Sequence, residues 1–173
     1  SLLRFNLKHH PMNKKQQSII SRLFKTYIVD ALSFMAMGLF CSLILGLIIK
    51  QIALIPGLDF LKDIATLLQS APVVGGSIGM AIAFGLKCAP LVTISAVAVG
   101  ALGYQFGGPI GAYLASIVGI EAGSLVSKRT PVDIIVTPLV AVVVGGLFAK
   151  YCCVPINEWV MSLGTVINRA TML

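Results

Sequence analysis

The chain has 173 residues, 57% of them hydrophobic and only 11% charged, with a mean hydropathy of +0.96. A soluble domain carries about 25% charged residues, so this composition fits lipid rather than water as the solvent. The formal charge of +7 does not point to nucleic acid, because six of the thirteen basic residues precede Tyr27 with no acidic residue among them; that is the pattern of a cytoplasmic anchor beside anionic lipid.

Ser1 to Thr26 reads as a basic leader carrying Arg4, Lys8, Lys14, Lys15, Arg22 and Lys25, with His9 and His10 in solvent. Ile19, Ile20, Leu23, Phe24 and Tyr27 recur at helical spacing, so an amphipathic helix leads into the membrane. Ile28 to Ile49 is apolar and long enough to cross a core of about 30 Å. Its single charge, Asp30, reads as a residue near the helix amino end, favoured by the helix dipole and able to reach Arg22 and Lys25. Pro56-Gly57 marks a turn, and Leu58, Leu61, Ile64, Ala65 and Leu68 form the apolar stripe of a short amphipathic helix.

Ala71 to Leu86 and Ala89 to Tyr104 are short, rich in glycine and bounded by Pro72, Lys87-Cys88-Ala89-Pro90 and Gly103 to Pro109. Such segments are either the broken helices that build a transporter's site or short, tilted spans. Lys87 lies on the cytoplasmic side as a topology charge or a substrate contact. From Pro109 the next helix repeats Gly111, Ala115, Gly119 and Gly123 every four residues, a ridge that lets another helix approach closely. Glu121 lies off that ridge, about two turns before Lys128-Arg129. A carboxylate facing lipid is costly, so Glu121 faces protein or water, either bonded to a neighbouring helix or contacting a solute.

Thr130-Pro131-Val132-Asp133 matches a helix start with Thr130 as N-cap and Asp133 at the third position. Thr137-Pro138 follows, and the proline removes a backbone bond and kinks the helix. Glu121, Asp133, Thr137 and Lys87 are the candidate substrate-binding residues. Lys150 reads as the end of that helix. Tyr151 to Leu173, with Pro155, Asn157, Glu158 and Trp159, reads as an interfacial helix.

Cys41, Cys88, Cys152 and Cys153 show neither a CxxC pair nor metal-ligand spacing, and the vicinal pair reads as small apolar filler. Nucleophile-elbow, P-loop and zinc-protease motifs are missing as well. No catalytic residue, metal or cofactor is expected, and the chain is not expected to be an enzyme by itself.

Ala71 to Val92, Gly107-Gly-Pro-Ile-Gly-Ala112 and Leu125 to Val140, with its Val-Asp-Ile-Ile-Val-Thr-Pro motif, resemble the bacterial membrane proteins of the phosphotransferase-system enzyme IIC-like family, second type. Asp30 to Gly46 matches the same family. The resemblance implies the amino-terminal half of a longer permease-like domain in the bacterial cell membrane. It also implies cytosolic phosphotransferase subunits as partners, because no phosphoryl-carrying domain is present here. In other IIC subunits a Glu in a Gly-Ile-Thr-Glu motif binds the sugar, and Gly119-Ile120-Glu121 matches that motif in part.

The expectation is therefore an all-α polytopic membrane protein with a leader over 1–26 and a transmembrane domain over 27–173. About five spans, a cytoplasmic amino terminus and a homo-oligomer in the lipid bilayer complete it. Its function is binding and translocating a small hydroxylated solute such as a sugar. The alternative is a membrane-bound regulator whose leader holds a cytoplasmic partner.

Overall fold

A computed structural model describes residues 14–172, so Arg4, Lys8, His9 and His10 lie outside the described residues. Every regular element among the described residues is helical. Helix α1, Lys14–Ile52, runs 39 residues, about 58 Å at 1.5 Å per residue. Helix α2, Leu61–Leu68, meets α3, Ala71–Gly85, at a 57° bend. Helix α4 is Pro90–Val126. Helix α5 covers Asp133–Thr171.

The α4 segment is not one rod. Gly108 has φ 64° and ψ −154°, a conformation that only glycine enters readily, and Pro109 starts the following turn. The chain reverses there. A Cβ placed at Gly103 would sit 2.5 Å from the Gly111 carbonyl oxygen, and one at Gly119 would sit 2.8 Å from Val99 Cγ1. Contacts between residues eight and twenty positions apart require two antiparallel limbs, 90–107 and 109–126, folded into a hairpin. Each limb of 18 residues is about 27 Å long, close to the thickness of the hydrocarbon core.

The predicted ridge faces inward. Gly111, Ala115, Gly119 and Gly123 are all buried, packed on the first limb and on Ala141 and Gly145 of α5. Without hydrophobic drive between helices in lipid, close backbone approach supplies the attraction. Helix α3 sits at the centre, with Gly75 and Gly79 against Gly100 and Ala96 of the hairpin and with Ser77 and Ile78 against Gly38 of α1. Ile78, Ile82 and Val74 are fully buried, and Leu32, Met37, Phe40, Leu139 and Leu147 on the outer helices are exposed, the faces a membrane would cover.

By length and hydropathy three helices can cross a membrane, and four can if the bent α2–α3 pair is one span. Three local expectations are corrected. Asp30 is not near a helix amino end, because α1 begins sixteen residues earlier, and no ion pair forms at it among the described residues. Thr130 does not cap: the helix starts at Asp133 with Val132 in the cap position and no side-chain cap bond. Lys150 does not end α5, since a π-helical stretch, Ala149–Cys153, carries it into Val154–Thr171. Val154–Thr171 continues the same helix past Cys153 at the hairpin tip and buries none of its residues. Cys153 is buried at the tip of the hairpin near Gly107 and Gly111, as small apolar filler, while Cys152 is exposed.

Candidate functional site

Three chain segments meet at one end of the bundle. Thr26 and Tyr27 come from α1; Leu86 to Ala89 form the α3–α4 junction; Glu121, Ser124, Ser127 and Lys128 come from the end of the second α4 limb. They enclose a cavity of about 430 Å³. A largely apolar cavity of about 530 Å³ lies on the other side of the same junction, lined by Phe34, Met37 and Phe84, and shares Lys87 and Cys88.

Glu121 is on the cavity wall, and its Oε1 accepts a hydrogen bond from the Tyr27 hydroxyl at 2.5 Å. A hydroxyl donating to a carboxylate makes a short, strong bond, so the bond ties α1 to the second limb of α4 at this wall. Tyr27 is itself tied down by its backbone, whose carbonyl accepts from the Tyr113 hydroxyl. It lies within a π-helical stretch, Lys25–Asp30, and such stretches recur at functional sites because they displace backbone groups from the regular ladder.

Lys87 and Lys128 are the two non-glycine residues with positive φ among the described residues, at 57° and 60°. Lys87 occupies the left-handed position of a Schellman motif. Its N–H donates to Phe84 and that of Cys88 to Ala83, both at 3.0 Å. Lys128 occupies the third position of a type II turn closed by Arg129 N–H to the Val126 carbonyl at 3.2 Å. Glycine is the favoured residue at both positions, and an L-residue there costs roughly 1–2 kcal/mol. Both costs are borne at the same cavity.

Asp133 and Thr137 do not line it. Asp133 Oδ1 accepts from the Lys128 backbone N–H at 3.0 Å and also from the Thr137 hydroxyl. Thr137 is fully buried. Together they hold the turn that presents Lys128. Of the four candidates, the structure brings Glu121 and Lys87 together in the cavity and sets Asp133 and Thr137 behind it.

Sequence reasoning missed Thr26, Tyr27, Cys88, Ser124 and Ser127 as cavity residues. Glu121 and Ser124, at i and i+3 on the second limb of α4, share one helix face, a signal that could have exposed Ser124. Cys88, in the junction outside the helices, has its thiol pushed up by burial and then by the nearby Glu121, with the Ser124 hydroxyl bond pulling the other way. No group of residues able to hold a metal ion occurs among the described residues.

A helical bundle with apolar outer faces and helices long and apolar enough to cross a membrane is the architecture of a membrane protein. Residues 29–173 match the family described as phosphotransferase system, EIIC, and the chain belongs to that family, a membrane component of the phosphotransferase system. Comparison with curated proteins and with solved structures gives no match.

Proposed function

We propose that this chain is the part of a sugar permease that binds a small hydroxylated solute in the cavity around Glu121. The observation that carries the reading is the Tyr27–Glu121 bond: the carboxylate already holds a hydroxyl group, at the edge of a chamber large enough for a sugar. In this reading Glu121 accepts a solute hydroxyl, and Lys87 and Lys128 donate to its oxygens. Asp133 and Thr137 support from behind. Five crossings follow if α1, α3, both limbs of α4 and α5 each traverse the bilayer. The basic leader, Lys87 and Lys128 then share the cytoplasmic side, in keeping with the positive-inside rule. The cavity would open toward cytosolic phosphotransferase subunits in the bacterial cell membrane. Pairing of two copies in the bilayer is part of the same proposal.

Uptake of labelled sugars by vesicles carrying the full protein, with and without the cytosolic phosphotransferase proteins, tests this. Failure of uptake and of binding across a broad panel sinks it.

A regulatory reading is favoured by one observation. Lys14–Phe24 buries no residue and presents Ile19, Ile20, Leu23 and Phe24 alongside Lys14, Lys15 and Arg22. That surface suits a cytoplasmic partner. Pull-down with the leader deleted tests it, and an unchanged set of partners counts against it.

A further inference from the structure

Tyr27 and Glu121 are 94 positions apart, and only the carboxylate stands out in the sequence. We propose that Tyr27 governs access to the cavity. Its phenol occupies Oε1 of Glu121, so a solute hydroxyl that takes that oxygen must exchange with it, one hydroxyl donor for another. The proposal rests on the reading of the cavity as a solute site.

Three observations carry it. First, both residues line the same cavity and the bond between them joins α1 to the hairpin. Second, Glu121 has no cation within ion-pair distance among the described residues, and the Tyr27 hydroxyl is the side-chain donor that satisfies it there. A sugar hydroxyl is the same kind of neutral donor as the phenol that Glu121 already accepts. Third, Tyr27 is held at its backbone end by the Tyr113 hydroxyl, separately from the bond at its phenol tip. The ring belongs to neither of the buried apolar clusters, whereas Tyr113 lies in the one around Ile78 and Ile82. Breaking one hydrogen bond releases the tip while the anchor stays.

Exchange has a consequence for affinity. A solute that displaces Tyr27 gains one charge-assisted bond and loses another, so its net binding is weaker than the contacts alone imply. Removing the phenol hydroxyl removes the competitor. A bond to a charged group is strong enough that the gain should be about tenfold in Kd.

The test has two arms. In the first, the full chain in detergent is treated with tetranitromethane and the nitrated tyrosines are mapped by mass spectrometry, with exposed Tyr151 as the internal reference. Tyr27 should react several-fold more slowly than Tyr151 in the wild type and approach it in Glu121→Ala. Equal Tyr27 reactivity in the two proteins overturns the proposal, whatever the solute. In the second, binding of radiolabelled hexoses, pentoses and hexitols is compared between wild type and Tyr27→Phe. The Phe protein should bind about tenfold more tightly. Unchanged or weaker binding in a protein with native melting overturns the proposal. Absence of sugar binding in both proteins, with the nitration contrast intact, counts against the sugar reading alone.

Discussion

The backbone N–H of Lys128 donates to Asp133 Oδ1 at 3.0 Å, so the carboxylate at the start of α5 holds the turn that ends α4. The same oxygen takes the hydroxyl of fully buried Thr137. In Asp133→Ala the turn loses its acceptor and Thr137 is left without a partner. An orphaned buried polar group costs about 1–3 kcal/mol, so the melting temperature in detergent should fall by several degrees. Asp133→Asn, which keeps one acceptor oxygen, should recover part of the loss. Native melting in Asp133→Ala would remove the positioning role.

Lys87 predicts the opposite sign. Its φ of 57° is strained for lysine and relaxed for glycine. Lys87→Gly should leave stability unchanged or raise it by about 1 kcal/mol, while weakening solute binding through loss of the ammonium group from the cavity wall. Thermal melting and a binding assay on the same preparation separate the two effects. A protein that melts earlier yet binds normally would mean that Lys87 stabilises the fold and does not serve the cavity.

The packing ridge gives a third expectation. A Cβ at Gly119 would lie 2.8 Å from Val99 Cγ1 and 3.0 Å from the Ala141 carbonyl oxygen. Both the hairpin's first limb and α5 would have to retreat to accept a side chain. Gly119→Leu should therefore destabilise by at least the 1–3 kcal/mol typical of overpacking, seen as early melting or loss of the folded species in size-exclusion chromatography. Native melting would place the ridge against lipid.

These residues also show what could be read from the chain alone. The ridge was legible because small residues at period four have one consequence in a membrane helix, close approach. The reversal after Tyr104 was legible because Gly107-Gly108-Pro109 breaks the helical ladder. Lys87 and Lys128 share one end of the bundle because each basic junction follows an apolar run of nearly span length. What failed was local reading of charge and proline. Asp30 resembles a helix-start residue only if the helix starts beside it, and Lys150 with Pro155 resembles a stop only if no π-helical turn absorbs the missing N–H. The Tyr27–Glu121 bond depends on how α1 leans against a hairpin ninety residues later, and no local pattern encodes that.

Cys88 offers a probe of Glu121 that needs no solute. It lies in the junction between α3 and α4, and its thiol is pushed up by burial first and by the Glu121 carboxylate second. The charge of Glu121 disfavours a thiolate close by, so removing that charge brings the thiol back toward its ordinary value. The thiolate is the reactive form, and its fraction at neutral pH rises as the pKa falls. Glu121→Gln keeps the size and one acceptor oxygen, so occlusion of the cavity is unchanged and the electrostatic effect is isolated. Iodoacetamide labelling of Cys88, mapped by mass spectrometry at pH 7, should be several-fold faster in the Gln protein, and the difference should vanish at high pH where both thiols are ionised. Exposed Cys152, at the far end of the bundle from Glu121, supplies the control and should not change. The same substitution should abolish solute binding if Glu121 is the acceptor, with melting close to native because Gln still takes the Tyr27 hydroxyl. Unaltered Cys88 reactivity together with full solute binding would leave Glu121 with neither an electrostatic nor a binding role at the cavity.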